Sequence, residues 1–112
     1  MTPGRRMPVL RQQGWEQHRA TVEGTFPLGH LYATPGVIRA VVTAGEDVFP
    51  YLARHARGDW GEVNDYDWLA NDAAVVNGTR LLSAYRLRDG TRIWIITEAD
   101  RSSTTILLPA EY

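Results

Sequence analysis

Arg80-Leu81-Leu82-Ser83-Ala84-Tyr85-Arg86-Leu87-Arg88-Asp89-Gly90-Thr91-Arg92-Ile93-Trp94-Ile95-Ile96-Thr97 is the stretch on which the fold turns. Here the apolar spacing changes from helical to alternating, and β-branched and aromatic residues take over. The pattern predicts strands over 80–87 and 91–97 joined at Asp89-Gly90, a strong short hairpin signal. Asp100-Arg101-Ser102 supplies a second turn into a strand over 104–108, which Pro109 stops. A two-residue turn at Asp89-Gly90 sets Tyr85 opposite Trp94, Ala84 opposite Ile95 and Leu87 opposite Arg92. One face then carries Leu82, Ala84, Ile93 and Ile95. The other carries Leu81, Tyr85, Leu87, Trp94 and Ile96, with Ser83 and Arg92 among them. That second face is too apolar for water, so the arm and a helix cover it or a partner does.

Upstream the periodicity is helical. Thr34-Pro35 pairs a capping hydroxyl with proline at the first helical position, and Gly45 ends the run, giving a helix over 35–44. Asp47 caps a second helix over 48–57, with Pro50 in its first turn and Gly58 behind it. Asn64 or Asp65 opens a third over 66–76, closed by Asn77-Gly78. Leu69, Ala73 and Val76 are its expected inner stripe, with Trp68 and Val75 beside it. A short additional strand is expected from Leu28. The fold class is therefore α+β: three helices, then a three-stranded antiparallel β-meander with an extra N-terminal strand. Residues 1–25 read as a mobile arm with a short helix around Trp15–Thr21, and residues 26–112 as one domain.

Composition narrows the function classes. The chain has 112 residues, 44% hydrophobic and 22% charged, enough to bury a core without staples. Cysteine is absent, which removes disulfides and thiolate metal sites. All 12 basic residues are arginine, so lysine-based Schiff-base chemistry is excluded. A net charge of −1 argues against electrostatic binding to nucleic acid or an anionic membrane. The start, with Arg5 and Arg6 but no apolar segment behind them, does not read as a secretory signal, and no apolar run reaches the ~20 residues of a membrane span. A cytoplasmic protein without cofactors is expected.

The 3 histidines, His18, His30 and His55, lie far apart, and no phosphate loop, dinucleotide fingerprint or nucleophile elbow is present. No metal site is expected. His55, with Arg54 and Arg57, reads first as a complement to the negative end of the second helix. Its chemical reading is a general base. No basic residue stands between Arg57 and Arg80, while Asp59, Glu62, Asp65, Asp67 and Asp72 are interleaved with Trp60, Tyr66 and Trp68. As a capped loop and helix start this is ordinary. Its sharper reading is a docking patch of Asp59, Trp60, Glu62, Asp65, Tyr66, Asp67 and Trp68 for a protein with a basic surface, carboxylates steering and aromatics anchoring. Tyr85, Arg92 and Trp94 form a second candidate face, and self-association is also open.

The stretch from Ile95 to Tyr112, with His55–Gly61 and Ala33-Thr34-Pro35-Gly36, resembles a family of small bacterial proteins carried on plasmids and other mobile elements. The resemblance runs from about Phe26 to Tyr112 and is most specific at the C-terminal end. Such proteins are sometimes labelled type I restriction methylase subunits, but this sequence has neither a cofactor-binding glycine motif nor the length of a methyltransferase domain. The acidic aromatic segment 59–72, the arginine-rich arm and the apolar second sheet face point to a non-catalytic, protein-binding accessory factor. The resemblance implies a mobile-element setting, which an anti-defence or maintenance role fits. The alternative is a metal-independent ribonuclease, because helices followed by a meander is the layout of barnase- and RelE-like toxins. His55 would then be the base, Arg92 or Arg101 the cation at the phosphate, and Thr105 a poor proton donor.

Overall fold

Thr34 opens the first helix as its hydroxyl predicts: Oγ1 accepts the Val37 N–H at 3.2 Å, and α1 spans Pro35–Ala44 before Gly45 ends it at φ 67°. Asp47 accepts the Phe49 N–H at 3.0 Å at the start of α2, Phe49–Ala56. The Asn64 side chain accepts the Asp67 N–H at 2.8 Å and starts α3, Asp65–Asn77, which Gly78 closes at φ 72°. The computed structural model describes residues 25–112. The predicted arm and its short helix lie outside them, apart from Thr25, whose N–H donates to the Ala56 carbonyl at 2.8 Å.

The sheet differs from the expected antiparallel meander. It has four strands, β1 (His30–Ala33), β2 (Leu81–Arg86), β3 (Arg92–Thr97) and β4 (Ser103–Leu107), in the order β1-β4-β3-β2. The three C-terminal strands are antiparallel neighbours as expected, but β1 joins β4 in parallel, pairing His30 with Ser103 and Ala33 with Ile106. A parallel pair needs a long crossover, and the helices between β1 and β2 supply it. The result is a mixed α+β sheet.

The hairpin register also differs from expectation. Ala84 faces Trp94, Tyr85 faces Ile93 and Ser83 faces Ile95. Leu87 accepts the Gly90 N–H, and its own N–H donates to the Thr91 carbonyl at 2.8 Å, so the loop holds three residues rather than two. Gly90, at φ 94°, takes the left-handed position that such a loop requires. A one-residue slip moves every β3 side chain to the opposite face. The inner face is therefore Leu81, Ser83, Tyr85, Leu87, Ile93, Ile95, Thr97, Thr104 and Ile106, all buried. Val37, Val41, Leu52, Ala56 and Ala74 from the three helices join its apolar members in one core.

The outer face carries Leu82, Trp94, Ile96 and Leu107. The C-terminal 3₁₀ turn, Pro109–Glu111, and Tyr112 reach back to it: the Tyr112 ring meets Trp94 edge-on at 5.5 Å. Arg80 holds that ring in place with a hydrogen bond to its hydroxyl at 2.5 Å. Tyr112 thus covers the part of this face around Trp94.

The inner side of α3 is the remaining correction. Asn71 and Ala74 are buried there, with Trp68 and Val75 half-buried, whereas Leu69, Ala73 and Val76 face outward. The reason is polar. Asn71 donates to the Leu82 carbonyl at 2.8 Å and accepts the Leu82 N–H at 3.2 Å, pairing with the edge strand as another backbone would. The same edge is met from loop 60–62, where Glu62 N–H donates to Ala84 O at 2.6 Å and Ala84 N–H donates to Trp60 O at 3.1 Å.

Candidate functional site

Two places concentrate the residues that carry chemistry: a polar chain in the core around His55, and the outward side of α3.

His55 is wholly buried at the end of α2. Its Nδ1 lies 2.5 Å from Ser83 Oγ and its Nε2 2.9 Å from Thr97 Oγ1. Thr97 Oγ1 lies 2.7 Å from Thr104 Oγ1, which donates to the Leu28 carbonyl at 2.7 Å. That last bond fixes all the others, because a hydroxyl has one proton to give. Thr104 spends its proton on Leu28, so Thr97 donates to Thr104 and must accept from His55. His55 is therefore the Nε2–H tautomer, and its bare Nδ1 accepts from Ser83. Phe26 and Trp60 meet the ring edge-on at 5.4 and 5.6 Å. Burial, with a smaller contribution from the Arg101 charge, pushes the imidazole pKa down to about 3.

A serine donating to a histidine is the beginning of a nucleophile–base pair. Here Ser83 and His55 have no exposed surface, so no substrate reaches either atom in this conformation. Of the other residues of the ribonuclease reading only Arg101 comes near enough for its charge to act on His55. Arg92 is exposed at the start of β3, and Thr105 is half-buried on the outer face, paired with Ile96. Arg101 sits in the β3–β4 turn at φ 62°, the one non-glycine residue with positive φ among those described. Its guanidinium donates to the carbonyls of Ala74 at 2.8 Å, Thr79 at 2.7 Å and Glu98 at 3.1 Å, and lies 5.6 Å from the Phe26 ring centre. It closes the negative end of α3, a structural duty that its sequence position gave no sign of.

The docking patch read from the sequence divides. Trp60 is fully buried, stacked on Phe26 at 6.1 Å, with its Nε1–H on Asp72 at 2.9 Å. Asp59 takes two bonds from Arg54, at 2.7 and 3.3 Å, and that cation lowers its pKa. Glu62 is paired with Arg86 at 3.2 Å. Trp68 is half-buried. Asp65, Tyr66 and Asp67 remain exposed, and neither carboxylate has an ion-pair partner among the described residues. The second candidate face divides as well: Tyr85 is buried on the inner side, while Arg92 and Trp94 lie on the outer one.

Tyr66 is not alone. Leu69, Ala73 and Val76 follow it along the outward side of α3 at spacings of three, four and three, and the large side chains are 80%, 68% and 85% exposed for Tyr66, Leu69 and Val76. The periodicity that marked Leu69, Ala73 and Val76 was real, but it reported an outer stripe. The signal that distinguishes the two sides is Asn71, a polar residue opposite that stripe whose amide fits an open strand edge.

Among the described residues no group of three His, Asp or Glu side chains could hold a metal ion, and no helix is long and apolar enough to cross a membrane. Comparison with known proteins finds no matching family model, no similar curated protein and no similar solved structure.

Proposed function

We propose that this chain is a non-catalytic protein-binding factor, serving a bacterial plasmid or other mobile element in an anti-defence or maintenance role. The observation that carries the binding part is the outward side of α3, where three large apolar side chains are left to water in a row. Monomeric domains scatter such residues singly, and a contiguous row marks an interaction surface. The mobile-element part rests on the sequence resemblance alone. The ribonuclease alternative gains nothing from the geometry, because its base is sealed in the core.

A photo-crosslinking residue at position 69 in the producing cell tests the reading. It should yield a discrete adduct that Tyr66→Gln with Val76→Gln abolishes, while the same probe at exposed position 39 on α1 yields none. Equal labelling at 69 and 39, or RNA hydrolysis by the pure chain that disappears in a folded His55 variant, would overturn it.

A further inference from the structure

We infer that the outward side of α3 receives a basic amphipathic helix, packed along it in coiled-coil fashion. The inference rests on the binding reading above and specifies the partner.

The spacing supplies the geometry. Tyr66, Leu69, Ala73 and Val76 occupy alternating three- and four-residue steps, the a and d positions of two heptads. They extend over about 15 Å of helix, roughly three turns. A helical partner with the same repeat lays its own apolar residues between them. Ala73 is the small member in the middle of the stripe, so it leaves room for a large apolar side chain from the partner, flanked by Leu69 and Val76.

Charge supplies the sign. In the same register Asp65 and Asp72 stand at the g positions, one heptad apart along one flank, and Ala70 and Asn77 occupy the other. Both carboxylates are exposed. Asp72 accepts from Trp60 through Oδ1, which leaves Oδ2 for a partner. No basic residue lies in α3. The arginines near its far end are committed, Arg80 to Glu98 at 3.8 Å and Arg101 to main-chain carbonyls. A second copy of this helix offers nothing to these carboxylates. Antiparallel pairing sets acid against acid, and parallel pairing sets acid against Ala70 and Asn77. A helix bearing arginine or lysine at its flanking positions, two of them a heptad apart, satisfies both aspartates in either direction. Nucleic acid and anionic lipid carry the wrong sign.

The test uses the full chain and three synthetic 21-residue helical peptides with leucine at a and d. They carry lysine, glutamine or glutamate at e and g, and binding is read by fluorescence anisotropy at low and high salt. The lysine peptide should bind at least tenfold more tightly than the glutamate peptide, and most of that preference should vanish in 0.5 M salt. Leu69→Gln should weaken it about tenfold or more. Asp65→Asn with Asp72→Asn should shrink the lysine-over-glutamate ratio about three- to tenfold and leave the glutamine peptide unchanged. No binding, equal binding of all three, or indifference to Leu69→Gln overturns the inference. So does a dimer in sedimentation that Leu69→Gln dissolves, or a position-69 cross-link to residues 1–24 of the same chain. If a position-69 adduct forms in cells and the lysine peptide does not compete for it, the basic-helix assignment falls while the binding reading stands.

Discussion

Ser83 Oγ and His55 Nδ1 lie 2.5 Å apart with the hydroxyl as donor, and neither atom touches water. Ser83→Ala removes that donor and leaves a buried nitrogen without a partner, at a cost of about 1–3 kcal/mol. His55→Ala should cost more, about 2–5 kcal/mol, because a ring-sized void and an unsatisfied Thr97 are left together. Urea unfolding of the two variants checks both values. A His55→Ala protein as stable as its parent would remove the polar chain from the account of the core.

The same burial sets a pH dependence. The folded pKa of about 3 lies below the unfolded value of about 6.5, so the unfolded state binds the extra proton. Stability from this group is therefore fully present above pH 6.5 and is lost as pH falls towards 3. Between pH 8 and 5, above most carboxylate titrations, the loss should be about 2 kcal/mol. Nitrogen-15 spectra should show His55 neutral and protonated on Nε2 throughout that range. A titration centred near 6.5, or the opposite tautomer, would contradict the hydrogen-bond order.

Arg101→Lys keeps the charge but loses the fork that reaches Ala74, Thr79 and Glu98 together. An ammonium cannot span three carbonyls from that position, so a cost of about 1–2 kcal/mol is expected, with amide exchange speeding up first at the last turn of α3. Protection lost evenly over the sheet instead would show that Arg101 does not act through the helix end.

Gly61 and Gly90 both sit at positive φ, 76° and 94°, yet their alanine variants should differ. A Cβ at Gly61 would strike the Ala84 carbonyl and the Tyr85 ring, whereas at Gly90 nothing lies within 4 Å. Gly90→Ala should cost about 1 kcal/mol of backbone strain. Gly61→Ala should cost well over that, because the loop must leave the β2 edge. Thermal melts side by side decide it, and equal shifts would mean that the loop yields without breaking its bridge.

On α3, Leu69→Gln and Val76→Gln should move the unfolding free energy by no more than about 0.5 kcal/mol. Asn71→Ala should cost about 1–3 kcal/mol, since the Leu82 amide loses both its bonds. Reversed magnitudes in denaturant titrations would return Leu69 and Val76 to the core.

Helix positions were legible because their signals are local. Thr34, Asn64, Gly45 and Gly78 act within one turn of themselves, and each caps the helix that its side chain or its freedom at positive φ implies. The strands β2, β3 and β4 were legible for the same reason. The hairpin register was not, because Asp89-Gly90 suits a three-residue loop as well as a two-residue one, and only the inner face decides between them. Placing Ser83 and Thr97 inward requires a polar partner from elsewhere, and His55, in α2, is that partner. Pairing between β1 and β4 has no local signature at all. Of the candidate site, Tyr66, Asp65 and Asp67 were found from composition. Leu69, Ala73 and Val76 were seen and turned the wrong way, because a helical stripe does not say which side is dry.

Pairing β1 with the last strand has a consequence for how the chain is made. Thr34, at the end of β1, meets the Glu111 carboxylate 77 residues later at the start of α1. At a synthesis rate of about 5–20 residues per second, roughly 4–15 s pass between the two. In that interval β2 and β3 close their hairpin in microseconds once both exist, while β1 has no strand to bond with. Its N–H and C=O groups stay open to water, to a chaperone or to another nascent chain until residues 103–106 have emerged. A product cut short before Ser103 thus keeps an unpaired first strand, an open edge on which another chain can pair.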